Sequence, residues 1–171
     1  MSSTATRLLL AALAVGTWCA PFATAQDKKL KDVPVAVIVN EKNPVKNISF
    51  NDLRALLRME RQFWPHKKRC ILFLPRSGSP ESQVLLDTIY KMTHRKLQRY
   101  WVQRLFSGEI PAKPTYVPNA KAAGSRVRKS VGGLSVVKLS EVPKGVRVLS
   151  IDGKKPGDAG YPLVHKPKPK P

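Results

Sequence analysis

The sequence predicts a three-layer α/β/α domain built on a mixed, mostly parallel sheet. Three observations carry the class. VPVAVIVN (33–40) and CILFLP (70–75) are almost uniformly apolar, as strands covered on both faces must be. Segments with apolar residues three or four positions apart follow each of them, which is the period of a helix with one buried face. The chain is also 42% hydrophobic, enough to build a core and too much for wholesale disorder.

The elements follow in order. VPVAVIVN is the first strand, and EKNPVKNI (41–48) a loop marked by Asn43-Pro44. Ser49 with Asp52 starts a helix in the manner of a capping box, and Leu53, Leu56 and Leu57 form its apolar stripe. RQFWPHKKR (61–69) breaks at Pro65, and CILFLP is the second strand. A helix over 81–92 buries Val84, Leu85, Thr88, Ile89 and Met92. Thr93 caps another over 94–106, with Leu97, Tyr100, Trp101 and Leu105 inward and Gly108 at its end. Residues 109–119 carry three prolines and read as a loop. AKAAGSRVRKS (120–130) reads as a helix, and GGLSVVKL (132–139) and GVRVLSI (145–151) as two strands. The predicted order is β-α-β-α-α-α-β-β, with no internal repeat.

The two ends stand apart from this domain. Arg7, the apolar run 8–18 and Ala23-Thr24-Ala25 give the three parts of a secretory signal peptide cut before Gln26. The alternatives are an uncleaved anchor, or a lipoprotein using Cys19, against which Trp18 is bulky. The expected organisation is a signal over 1–25, a domain over 26–165 and a basic Lys-Pro tail over 166–171 that cannot bury itself. The protein is then periplasmic or secreted, with no transmembrane segment after cleavage. Export leaves Cys70 alone, so no internal disulfide forms and the core must supply the stability. Inside an apolar run, Cys70 reads as a small buried hydrophobe.

Enzyme chemistry finds little support. His66, His94 and His165 lack metal-ligand spacing, carboxylates are scarce, and no nucleophile elbow or Gly-Lys-Ser/Thr phosphate loop is present. No cofactor is implied. Tyr161, Trp64 and Trp101 read as core anchors before stacking platforms.

The residues that invite a ligand are Arg76, Ser77, Gly78 and Ser79, between the second strand and the next helix. Open α/β sheets bind ligands beyond the carboxyl ends of their strands. A helix amino terminus offers unpaired N–H groups, small residues let an oxyanion approach, and arginine adds a forked charged donor. The plainer reading is that Ser79 only caps the helix, with Pro80 in its first turn. Glu81 brings a negative charge to the same place.

The second feature is charge. The chain carries 31 basic and 11 acidic residues, a formal +20, which loses one unit if Arg7 leaves with the signal. Lys67, Lys68 and Arg69 form one cluster, and Arg126, Arg128 and Lys129 another. They serve either as a solvated surface or as a patch for a polyanion such as acidic lipid, lipopolysaccharide or nucleic acid. No motif for sequence-specific nucleic-acid recognition is present.

Four segments together resemble the substrate-binding proteins of phosphate ABC transporters. They are VAVIVNEKNPVKNISFNDLRALL (35–57), Trp64 with ILFLPRSGSPES (71–82), LQRYWVQRLFSGEIPAKP (97–114) and VRVLSIDGKKPGDAGYPLVHKP (146–167). The resemblance implies a single lobe of the periplasmic-binding-protein fold. It assigns Ser77, Gly78 and Ser79 to the family's phosphate-contacting loop, while Arg76 lies off the family's usual arginine position. Family receptors have two lobes and an early Gly/Ser/Thr-rich loop, where this chain has QDKKLKDVP (26–34). The expected function is weak phosphate or oxyanion binding without catalysis, with an ABC permease as a partner. A pair of chains could supply the second lobe. The other expectation is a basic envelope protein that uses the lobe as a scaffold for a polyanion or an acidic protein partner.

Overall fold

A computed structural model describes residues 32–166. The signal segment and all of the Lys-Pro tail beyond Lys166 lie outside them. β1 (Val33–Asn40) is an inner strand of the sheet. It pairs antiparallel with β5 (Gly133–Lys138), β6 (Val146–Val148) and β8 (Val164–His165). β3 (Ile71–Pro75) lies parallel to β5 on one side and to β4 (Thr115–Val117) on the other. The sheet runs β4-β3-β5-β1-β6 with β8 beside β1. These pairings make β1 the one strand that runs against the other five, so the sheet is mixed and mostly parallel as expected. A separate parallel pair joins β2 (Asn47–Ile48) to β7 (Ser150–Ile151).

Strand alternation divides the core between the two faces of the sheet. Val35, Val37, Val39, Leu72, Leu74, Leu134 and Val136 face one cluster. Its helical partners are α1 (Phe50–Leu57), α2 (Pro80–Val84) with its π-helical continuation Leu85–Tyr90, and α3 (His94–Phe106). Ile38, Phe73 and Val137 face the other way, onto Ala123 and Val127 of α4 (Ala120–Lys129). The result is the three-layer arrangement that the uniformly apolar strands required.

Polar side chains pin the layers. Ser49 Oγ accepts the Asp52 amide and donates to the Asp52 carboxylate, which closes the start of α1. Thr93 Oγ1 accepts the Lys96 amide and starts α3, and Gly108, at φ 72°, ends its last turn. Trp64 Nε1 donates to Gly132 O, Tyr90 Oη to Leu57 O and Tyr161 Oη to Val35 O, each at 2.9–3.0 Å. Trp64, Trp101 and Tyr161 are buried as core anchors.

Several elements differ from the sequence expectation, among them β2, which lies inside the predicted 41–48 loop, and β8, which was not predicted. The 81–92 helix is a short α-helix followed by a π-helical turn, and Lys91 ends it in the left-handed conformation. The 109–119 loop contains β4, whose three residues stand between Pro114 and Pro118. The last predicted strand is broken at Leu149, with β6 pairing β1 and β7 pairing β2.

Candidate functional site

The carboxyl ends of β3, β4 and β5 lie side by side because these three strands are parallel. A hollow of about 250 Å³ opens there, and its walls include Arg76, Gly78, Ser79, Glu81, Asn119 and Lys138. β3 ends at Pro75, and the Arg76 amide donates to Val117 O of β4. The chain then reverses over Arg76–Ser79. The Ser79 amide reaches back to Arg76 O at 3.4 Å, and Gly78 takes φ 79°. A positive φ at the third position is what a type II turn requires, so glycine is the residue for it.

Ser79 accepts the Ser82 amide at 3.2 Å and caps α2, with Pro80 next in its first turn. Capping and anion contact do not exclude one another. The hydroxyl oxygen is used as an acceptor, and its proton can still be donated. Arg76 is exposed, and among the described residues its guanidinium makes no hydrogen bond or ion pair within the protein. Ser77 is exposed at the tip of the turn, outside the lining of the hollow.

Two lining residues were not singled out from the sequence. Asn119 Oδ1 accepts the Ala122 amide and caps α4, so a second helix begins at the hollow. The Asn ahead of AKAA was a legible cap signal; its nearness to Ser79 was not. Lys138 ends β5, and its Nζ donates to Glu141 Oε1 at 2.8 Å. That hydrogen bond is the main reason its pKa is raised, so it stays cationic.

The electrostatics are balanced. Arg76 and Lys138 line the hollow together with Glu81, which is buried, and Glu141, which is paired with Lys138. Two helix starts add partial positive charge. The arrangement suits a small oxyanion held by amide, hydroxyl and guanidinium donors. No metal-ligand group occurs among the described residues. A larger depression of about 900 Å³ lies near Asp32 and Lys166. Asp32, Asp87 and Asp158 line it together with His165 and Lys166.

The basic clusters lie at the other end of the sheet. Lys67, Lys68 and Arg69 precede β3, and Arg126, Arg128 and Lys129 close α4 just before β5. Because β3 and β5 are parallel and start together, these two runs are neighbours. Five strand residues, or about 16 Å, separate that end from the hollow.

No protein-family model matches the chain, and no curated protein matches it by sequence. Solved structures do match. A protein of Clostridium perfringens, solved with bound phosphate and assigned as a phosphate ABC transporter substrate-binding protein, superposes with a TM-score of 0.63 at 12% identity. The match covers 78% of this chain and 53% of that one. An ABC-type phosphate transport receptor of Vibrio cholerae gives 0.63 at 14% identity, over 80% and 55%. PstS of Borrelia burgdorferi gives 0.61 at 14%, over 79% and 55%. The chain spans about half the length of each. Likeness at this identity speaks to architecture, and on that ground the chain has the α/β fold of the phosphate ABC transporter substrate-binding proteins over one lobe's worth of their length.

Proposed function

We propose that the protein is a non-catalytic oxyanion-binding protein that holds phosphate or a similar anion at the Arg76–Ser79 turn. One observation carries the reading. The turn stands at the carboxyl ends of three parallel strands, where Ser79 and Asn119 begin two helices and Arg76 projects with no partner among the described residues. Gly78 N–H, Ser79 Oγ–H and the Arg76 guanidinium are the donors in this account, with Lys138 adding charge and Ser77 at the rim. The fold, shared with phosphate receptors, supports the ligand class. A single wall of donors, with Glu81 close by, gives weak affinity.

The same reading has the protein exported, with an ABC permease as its partner and a second chain available to cover the open side of the hollow. No described helix is long and apolar enough to cross a membrane. Calorimetric titration with phosphate and with sulfate tests the proposal. Saturable heat that disappears in Arg76→Ala, while the fold is retained, is the expected result. No heat at millimolar anion would sink it.

A further inference from the structure

We infer that the end of the domain opposite the hollow docks on an anionic lipid surface. This goes beyond the oxyanion reading and uses none of its residues. The hairpin that carries Lys67, Lys68 and Arg69 is closed by a bridge between Phe63 and Arg69 and by the Cys70 amide on Gln62 O. Gly132, at the start of β5, touches this hairpin so closely that a Cβ there would lie 1.9 Å from Arg69 O. The end of α4 is thereby held beside it, bringing Arg126, Arg128 and Lys129 to the same end. The last turn of α3 joins them. Arg104 Nη1 donates to Arg58 O, and Gln62 Nε2 donates to Glu109 O.

Charge and apolar exposure coincide here. Lys67, Lys68, Arg126 and Lys129 are exposed and have no ion pair among the described residues. The nearby carboxylates of Glu60 and Glu109 are taken by Arg58 and Arg104, and Glu41, after β1, has no ion pair among the described residues. Three large apolar side chains on the elements at this end are exposed: Phe63 in the hairpin at 49%, Ile71 directly after it at 42%, and Phe106 in the last turn of α3 at 85%. Arg69 stacks over the Phe63 ring, its guanidinium 5.5 Å from the ring centre, so the aromatic stands within the basic cluster.

A soluble polyanion would be met by the cations alone. Aromatic and aliphatic side chains among lysines and arginines fit an interface that has both phosphate headgroups and an acyl boundary. A nucleic-acid duplex has no acyl region for Phe106 to enter. In this orientation the hollow points away from the lipid and stays open to solvent.

Vesicle co-sedimentation of the purified protein tests this. Phosphatidylcholine vesicles should leave it in solution, and vesicles with added phosphatidylglycerol should carry it down. Combined Lys67→Glu, Lys68→Glu and Arg69→Glu reverses three charges and should lower partitioning by at least a factor on the order of 100. Phe63→Ser with Phe106→Ser should weaken it at every salt concentration, because apolar insertion is not screened. Lys67 and Lys68 are exposed without an ion pair among the described residues, so Lys67→Glu with Lys68→Glu should melt as the parent does and still lose binding, whereas Arg69 and Phe63 stack on each other and their variants are compared at matched folded fraction. Lys154→Glu with Lys155→Glu, placed in the loop after β7, should change little. An equal loss from that control would show that net charge alone acts, and would overturn the assignment. Full retention by the phenylalanine variant, or tighter binding to duplex DNA than to the vesicles, would overturn it as well.

Discussion

Asn40 Nδ2 donates to Val127 O at 2.9 Å and to Arg128 O at 2.8 Å, so the last residue of β1 closes the carboxyl end of α4. Its Oδ1 accepts the Lys42 amide. One buried side chain thus ties an inner strand, a helix end and a loop. Asn40→Ala leaves two helix carbonyls without this donor and should cost about 1–3 kcal/mol. Asn40→Asp should cost at least as much, since a carboxylate would face carbonyl oxygens. Chemical denaturation with both variants checks the pair.

Gly132 predicts a larger effect. Its Cα lies against the Arg69 carbonyl, and a methyl group there meets backbone, which cannot rotate away. Gly132→Ala should therefore force β3 and β5 apart at their starts and lower stability by several kcal/mol, on the order of a core overpacking or more. Loss of a cooperative thermal transition would be consistent with this. A wild-type melting curve would contradict it.

How much of this was legible in the sequence depends on distance along the chain. The Ser79-Pro80 cap, the Ser49 and Thr93 starts and the buried faces of β1 and β3 are local patterns, and the structure realises them. β4 was hidden because Thr115, Tyr116 and Val117 are too few to show a period and two prolines flank them; only pairing with Phe73, Leu74 and Pro75 makes them a strand. The nearness of Asn119 to Ser79, and of Arg69 to Gly132, is set by parallel strand pairing, which no local pattern encodes.

Alkaline conditions should weaken the fold. Burial pushes the Cys70 thiol from 9.0 up to about 12, and raises Tyr90 and Tyr161 above the ordinary tyrosine value of 10.0. The folded state keeps these groups neutral, so their contribution is fully present below the unfolded values. It is lost as pH rises from about 9 toward 12. Denaturation midpoints should be flat below pH 9 and fall above it, and Cys70→Ala should fall less steeply. The native thiol should also resist alkylation at pH 8 and react once denatured.

Ser79→Ala and Arg76→Ala separate capping from ligand contact. The first removes the α2 cap and should cost about 1 kcal/mol of stability, besides weakening any anion site. The second touches a side chain with no partner among the described residues and should stay within about 0.5 kcal/mol of the parent. If Arg76 binds the anion, its loss appears in binding and not in melting.

The most direct test of the oxyanion reading is a phosphate titration followed by amide chemical shifts. The account predicts saturable shifts confined to Ser77–Ser82 and to the start of α4 at Ala120–Ala122, and their disappearance in Arg76→Ala. No shift at millimolar phosphate, or shifts that centre on Lys67–Arg69 and Arg126–Lys129 instead, would contradict it.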